Sequence, residues 1–144
     1  NGTLINEYQS KKDIETKYQA KDVAFQKRAD SIGKAFQLEA QSFQSNANRM
    51  TQKEQQDKYQ ELGQKQQALK QQMQSEQQEI QLAFQQEIDT LIIKVKDFVK
   101  SYGKENGYTY ILGTSETAST VLYGTEENDL TQTILDALNK EYKN

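Results

Sequence analysis

The chain has 144 residues, 34% of them hydrophobic, with a mean hydropathy of -0.99 and a net charge of -3. Length alone allows one ordinary domain, but so polar a composition argues against a compact one. It contains no Cys and no His, which removes thiol catalysis, Cys- or His-based metal sites and an imidazole base.

From Ser10 to Tyr102 the apolar residues recur at spacings of three, four and seven. They run Tyr18, Phe25, Ala29, Ile32, Phe36, Phe43, Ala47 and Met50 in the first half. In the second they run Tyr59, Leu62, Leu69, Met73, Ile80, Phe84, Ile88, Leu91, Val95, Phe98 and Tyr102. Such spacing lays one narrow stripe along a helix, the seam of a coiled coil. It predicts a mainly α chain whose residues 10–102 form a long antiparallel helical hairpin. Glutamine fills eighteen of the fifty positions from Gln37 to Gln86. Gln and Lys are good helix formers, so this polarity reads as exposed helix. Glu76 and Glu87 stand as interruptions of the seam.

The reversal is expected within residues 45–51, where Asn46 and Asn48 favour a turn. Thr51 and Glu54 have the spacing of a capping box that opens the second helix. Gly33 and Gly63 are kept inside the helices, since an isolated helical glycine costs only about 1 kcal/mol. A turn near Asn48 places Tyr18 near the level of Ile80 and Leu4 near Val95.

After Tyr102 the period changes. Gly103 and Gly107 end the helix, and two short β-rich runs follow, 108–112 and 120–123. A polar loop, residues 114–119, joins them. Asp129 has the look of an N-cap, with Gln132 at N3, for a last helix carrying Leu130, Ile134 and Leu138 on one face. Residues 1–9 and 103–144 are thus assigned to a small β-rich base. A lone two-stranded hairpin is marginal in water, and so small a base lacks core of its own. Oligomerisation through Ile111, Leu112, Val121, Leu122, Tyr123, Leu130, Ile134 and Leu138 is expected.

Charge is unevenly spread. Residues 11–104 hold 16 basic and 13 acidic side chains, whereas the flanks hold 2 and 8. No run of like charge and no basic–aromatic alternation appears, so no nucleic-acid partner is expected. No glycine loop fit to cradle phosphate occurs, and no cofactor or metal is expected. No apolar run approaches the 18 residues of a membrane span.

The tail resembles the Skp/OmpH family of periplasmic chaperones. Tyr108-Thr109-Tyr110-Ile111-Leu112, Val121-Leu122-Tyr123, Asp129-Leu130-Thr131, Ile134 and Leu138-Asn139 follow that family's pattern. Leu4 to Tyr8 look like the family's helix opening after its first strand, and with the hairpin the likeness covers nearly the whole chain. The resemblance implies a jellyfish-like homotrimer, with a small β-barrel base and three helical tentacles around a cavity. It implies an ATP-independent holdase that binds unfolded outer-membrane proteins in the periplasm and prevents their aggregation. A first barrel strand would precede Asn1, on a trimmed or processed segment that could also have carried a membrane anchor. Familiar members are strongly basic, whereas this chain has a pI near 5.1.

Under that reading Ile32, Phe36, Phe43, Met50, Leu62, Leu69 and Met73 are the candidate client contacts, since Met and Phe adapt to many apolar shapes. The same residues could instead simply pack the two helices together. The other function class is a structural coiled-coil adaptor for one defined partner. Prefoldin is a less fitting architecture, because its β-hairpin lies between its long helices. An enzyme is not expected, because no nucleophile–base pairing is visible.

Overall fold

The computed structural model describes residues 2–114, 121 and 123–143. Most of the loop 114–119 lies outside the described residues, as do Thr120 and Leu122 of the second expected strand. Four helices carry the chain: α1, Gly2–Glu7; α2, Gln9–Asn46; α3, Gln52–Glu105; and α4, Thr131–Tyr142. Short 3-10 turns occupy Ala47–Arg49 and Glu126–Asn128. The chain divides into two compact units. One joins Asn1–Tyr18 to Ala83–Asn144, and the other is Gln19–Leu82.

The Gln19–Leu82 unit is the far part of a helical hairpin. α2 stops at Asn46 and the chain turns through Ala47–Arg49, after which Thr51 opens α3. The capping box forms in full: the Thr51 amide donates to Glu54 Oε2 at 2.8 Å, and the Glu54 amide donates to Thr51 Oγ1 at 3.3 Å. Gln55 completes the turn from inside, donating Nε2–H to the Ala47 and Met50 carbonyls at 2.8 and 3.2 Å. The Ala47 carbonyl also accepts the Met50 amide at 3.0 Å, so Gln55 adds a second donor there and ties the turn to α3. Phe25 and Leu62 are the buried apolar residues of this unit. Half-buried Ile32, Phe36, Phe43, Met50, Leu69 and Met73 continue the strip.

The other unit has a core of its own. Leu4, Tyr8, Leu91, Val95, Ile134, Leu135 and Leu138 form one buried cluster, with Ile14, Phe98, Tyr102 and Ile111 packed on it. Residues 1–9, assigned above to a β-rich base, are helical from Gly2 to Glu7. Leu4 within α1 and Tyr8 just after it are both buried in the cluster with residues of α3 and α4, and that burial rewards the helical conformation. Leu4 and Val95 fall in the same cluster, as the pairing predicted. Tyr18 instead meets Phe84, one turn beyond Ile80, edge to face with ring centroids 5.3 Å apart.

The end of α3 is a Schellman motif. The Tyr108 amide donates to the Gly103 carbonyl at 2.9 Å, the Gly107 amide donates to Lys104, and Gly107 takes φ of +74°. That is the left-handed conformation glycine adopts cheaply. Residues 108–112 form no strand, and no β-ladder exists among the described residues. An extended segment needs a neighbour for its backbone N–H and C=O groups. Among the described residues no strand is formed that could supply one. Asp129 is not the cap itself: Leu130 flanks α4, and the Asp129 carboxylate accepts the Thr131 amide at 2.9 Å.

Candidate functional site

The candidate residues lie on the helices and the tail. The seven candidate client contacts lie along the strip where α2 and α3 meet. Leu62 is 7% exposed and already packed, while Ile32, Phe36, Phe43, Met50, Leu69 and Met73 are half-buried. Each of these six keeps an accessible edge while helping to hold the hairpin closed. The fully presented apolar side chains of this unit are others: Val23, Leu38, Tyr59 and Leu82, at 50%, 66%, 75% and 62% exposure. Tyr59 was read above as a seam residue. It stands outside, and Lys58 takes the half-buried place beside it.

Lys58 can sit there because it is paired. Its ammonium donates to Glu39 at 3.2 Å and to Glu61 at 2.9 Å, and Lys65 also binds Glu39. Hydrogen bonds from Lys65 and then Lys58 hold the Glu39 carboxyl below its ordinary pKa. Glu76 and Glu87, which look like interruptions of the seam, are partnered from the opposite helix. Arg28 binds Glu76. Lys17 at 2.5 Å and the Tyr18 hydroxyl at 2.9 Å both donate to Glu87 Oε1. Burial, then the hydrogen bond to Glu87, raises the Tyr18 pKa. Each pair links α2 to α3, so the acids are clasps between helices. Read one helix at a time, the sequence hides them.

The eight candidate oligomerisation residues divide into groups. Ile134 and Leu138 are each 3% exposed and Leu130 is half-buried, all within the chain's own core. Ile111 packs on that core through Gly103. Val121 is half-buried, and Leu122 lies outside the described residues. Leu112 and Tyr123 face solvent at 65% and 84%, with Tyr110 beside them at 80%. Tyr108 is also exposed and stacks on Tyr102, which stacks in turn on Phe98. The chain therefore spends half of these residues internally and leaves Tyr108, Tyr110 and Leu112 exposed.

Among the described residues no group of His, Cys, Asp and Glu could hold a metal, and no helix is long and apolar enough to cross a membrane. One open groove of about 540 Å³ runs over Tyr8, Phe98, Tyr102 and Leu138, rimmed by Lys94, Asp97, Ser101, Glu105 and Glu141. A family model described as outer membrane protein (OmpH-like) matches residues 1–138. The chain belongs to this family. The OmpH-like family is the Skp/OmpH family, whose members are periplasmic chaperones of outer-membrane proteins. No curated protein and no solved structure matches the chain.

This OmpH-like chain also uses residues that the apolar stripe could not reveal. Gln55 satisfies the turn, and Lys17, Arg28 and Lys65 clasp the hairpin. A signal for the clasps was present, because they and the seam residues recur at intervals of eleven.

Proposed function

We propose that this OmpH-like protein is an ATP-independent periplasmic holdase for unfolded outer-membrane proteins. The observation that carries this reading is the dispersed presentation of Val23, Leu38, Tyr59 and Leu82 on a hairpin that is otherwise polar and charged. Burying about 100 Å² of apolar surface contributes about 2.5 kcal/mol before ordering costs. Separate single side chains therefore give several weak contacts and no tight one. A holdase needs that balance to release its client for folding. The half-buried edges of Phe36, Phe43 and Met73 add to the same surface.

The assembly proposed with it is a homotrimer. Tyr110, Leu112 and Tyr123 are large apolar side chains that stand exposed, and among the described residues 108–112 has no strand partner. Strand pairing between copies would satisfy the backbone of 108–112 and cover Tyr110 and Leu112 together.

The test uses Val23, Leu38, Tyr59 and Leu82 changed together to Ser. These side chains are exposed, so helicity by circular dichroism should be unchanged. Suppression of aggregation of several urea-unfolded outer-membrane β-barrels should fall at least severalfold. If protection is unchanged, these four side chains are not the client surface; if only one client is ever protected, the holdase reading fails and a dedicated adaptor is favoured.

A further inference from the structure

The inter-helix clasps sit at Lys17, Arg28 and Glu39 on α2 and at Glu87, Glu76 and Lys65 on α3. Each step is eleven residues on both helices, taken in opposite directions. The apolar rows keep the same step. Ile14, Phe25 and Phe36 form one row on α2, which Ala47 continues at the turn, and Tyr18, Ala29 and Ala40 form another. On α3 they are Leu62, Met73, Phe84 and Val95, then Leu69, Ile80, Leu91 and Tyr102. Every member of these four rows is buried or half-buried, in helices whose other positions are mostly exposed. An eleven-residue repeat is about 3.67 residues per turn, close to the 3.6 of a straight helix. A seam with this step therefore stays on one face with little winding.

We propose that the hairpin is a stack of interchangeable eleven-residue modules, each contributing one clasp and one set of apolar rungs. Its length can then change by one module in each helix, about 16 Å of rise, with the pairing kept. Repetition alone would also permit sliding by one module. Charge order opposes that, because the third clasp has its acid on α2 where the first two have bases. Sliding one module toward the turn sets Glu39 opposite Glu54 and Arg28 opposite Lys65. Sliding the other way sets Glu39 opposite Glu76; each slide makes one matched pair, Lys17–Glu76 or Arg28–Glu87, in place of three.

The experiment is paired deletion in the full chain. Removing residues 28–38 together with 66–76 leaves Lys17–Glu87 and Glu39–Lys65 one module apart. Ala40 then follows where Ala29 stood and Phe43 where Ile32 stood. On α3, Ile80 follows where Leu69 stood and Phe84 where Met73 stood. The control removes seven residues from each helix, 28–34 with 70–76, as a heptad seam would tolerate. It brings Glu39 to the place of Ile32 and Glu87 to the place of Ile80.

The eleven-residue deletion should keep the parent's ellipticity per residue and a single cooperative melt. The seven-residue deletion should lose ellipticity and cooperativity although it removes less. If the seven-residue variant melts as cooperatively as the eleven-residue one, or if the eleven-residue variant fails to fold, the modular reading is overturned. This readout is folding alone, so it stands apart from the holdase assay, and failure of the parent in that assay counts only against the proposed function.

Discussion

Gly103 lies directly beneath Ile111: a Cβ at Gly103 would stand 3.3 Å from the Ile111 Cδ1 atom. The contact lets the segment after α3 fold back onto the helix it has just left. Two effects compete on substitution. Alanine gains about 1 kcal/mol of helix propensity over glycine, while Ile111 must yield by a few tenths of an ångström. Gly103→Ala should therefore change stability by less than about 1 kcal/mol, whereas Gly103→Val should lift Ile111 from the core. Chemical denaturation of both variants checks this, and a Val variant as stable as the parent would contradict the close contact.

Gly33 and Gly63 behave differently. A Cβ at either meets nothing within 4 Å, and neither has positive φ. No packing reason for glycine exists at these positions. Gly33→Ala and Gly63→Ala should each stabilise the hairpin by about 1 kcal/mol, additively because they share no partner. Thermal melting followed at 222 nm is the measurement.

Acid should weaken the turn. The Thr51 amide, then its hydroxyl, hold the Glu54 carboxyl below the ordinary value of 4.5. A depressed carboxyl stabilises the fold above its unfolded pKa, and that contribution is lost as pH falls through the folded one. Glu39 shifts the same way. Melting temperature should therefore drop as pH goes from about 5 downward, and Glu54→Gln should flatten part of the drop. Thr51→Ala should cost about 1 kcal/mol at neutral pH. Identical acid profiles for parent and Glu54→Gln would remove the capping box as a cause.

The clasps should respond to salt only modestly. Lys17, Arg28 and Lys65 are about half exposed as side chains, and exposed pairs typically give about 0–1 kcal/mol. Glu87→Gln removes a charge but leaves an acceptor for Tyr18 and Lys17. It should destabilise less than Tyr18→Ala, which also deletes the ring packed on Phe84. Equal losses would mean that the charge, not the ring, holds that level of the hairpin.

Much of the hairpin was legible because its determinants are local. The apolar stripe needs only one helix to be seen, and Thr51 with Glu54 announces a helix start within four residues. The candidate contacts were harder, because the same stripe that suggests a client surface is the packing seam. Leu62 shows the limit, being almost wholly buried. Glu76 and Glu87 were misread for the same reason, since their partners lie 48 and 70 residues away. Residues 108–112 alternate like a strand, but alternation states a preference and a strand requires a neighbour. The helical start at Gly2–Glu7 depends on α3 and α4, far along the sequence.

The amide of Gln9 donates to Asn139 at 2.9 Å, and the Tyr142 hydroxyl donates to Asp13 at the same distance. These contacts join the beginning of the chain to its end, across 130 and 129 residues. Closing so long a loop in an unfolded chain carries a large entropic penalty. The Gln19–Leu82 unit removes most of that penalty, because its contacts spread outward from a three-residue turn by short steps. In kinetic terms the turn should act as a nucleus and the hairpin as a zipper. The core around Leu4 and Leu138 should be the last part to form, so newly made chain would remain open at its base until its final helix had been synthesised.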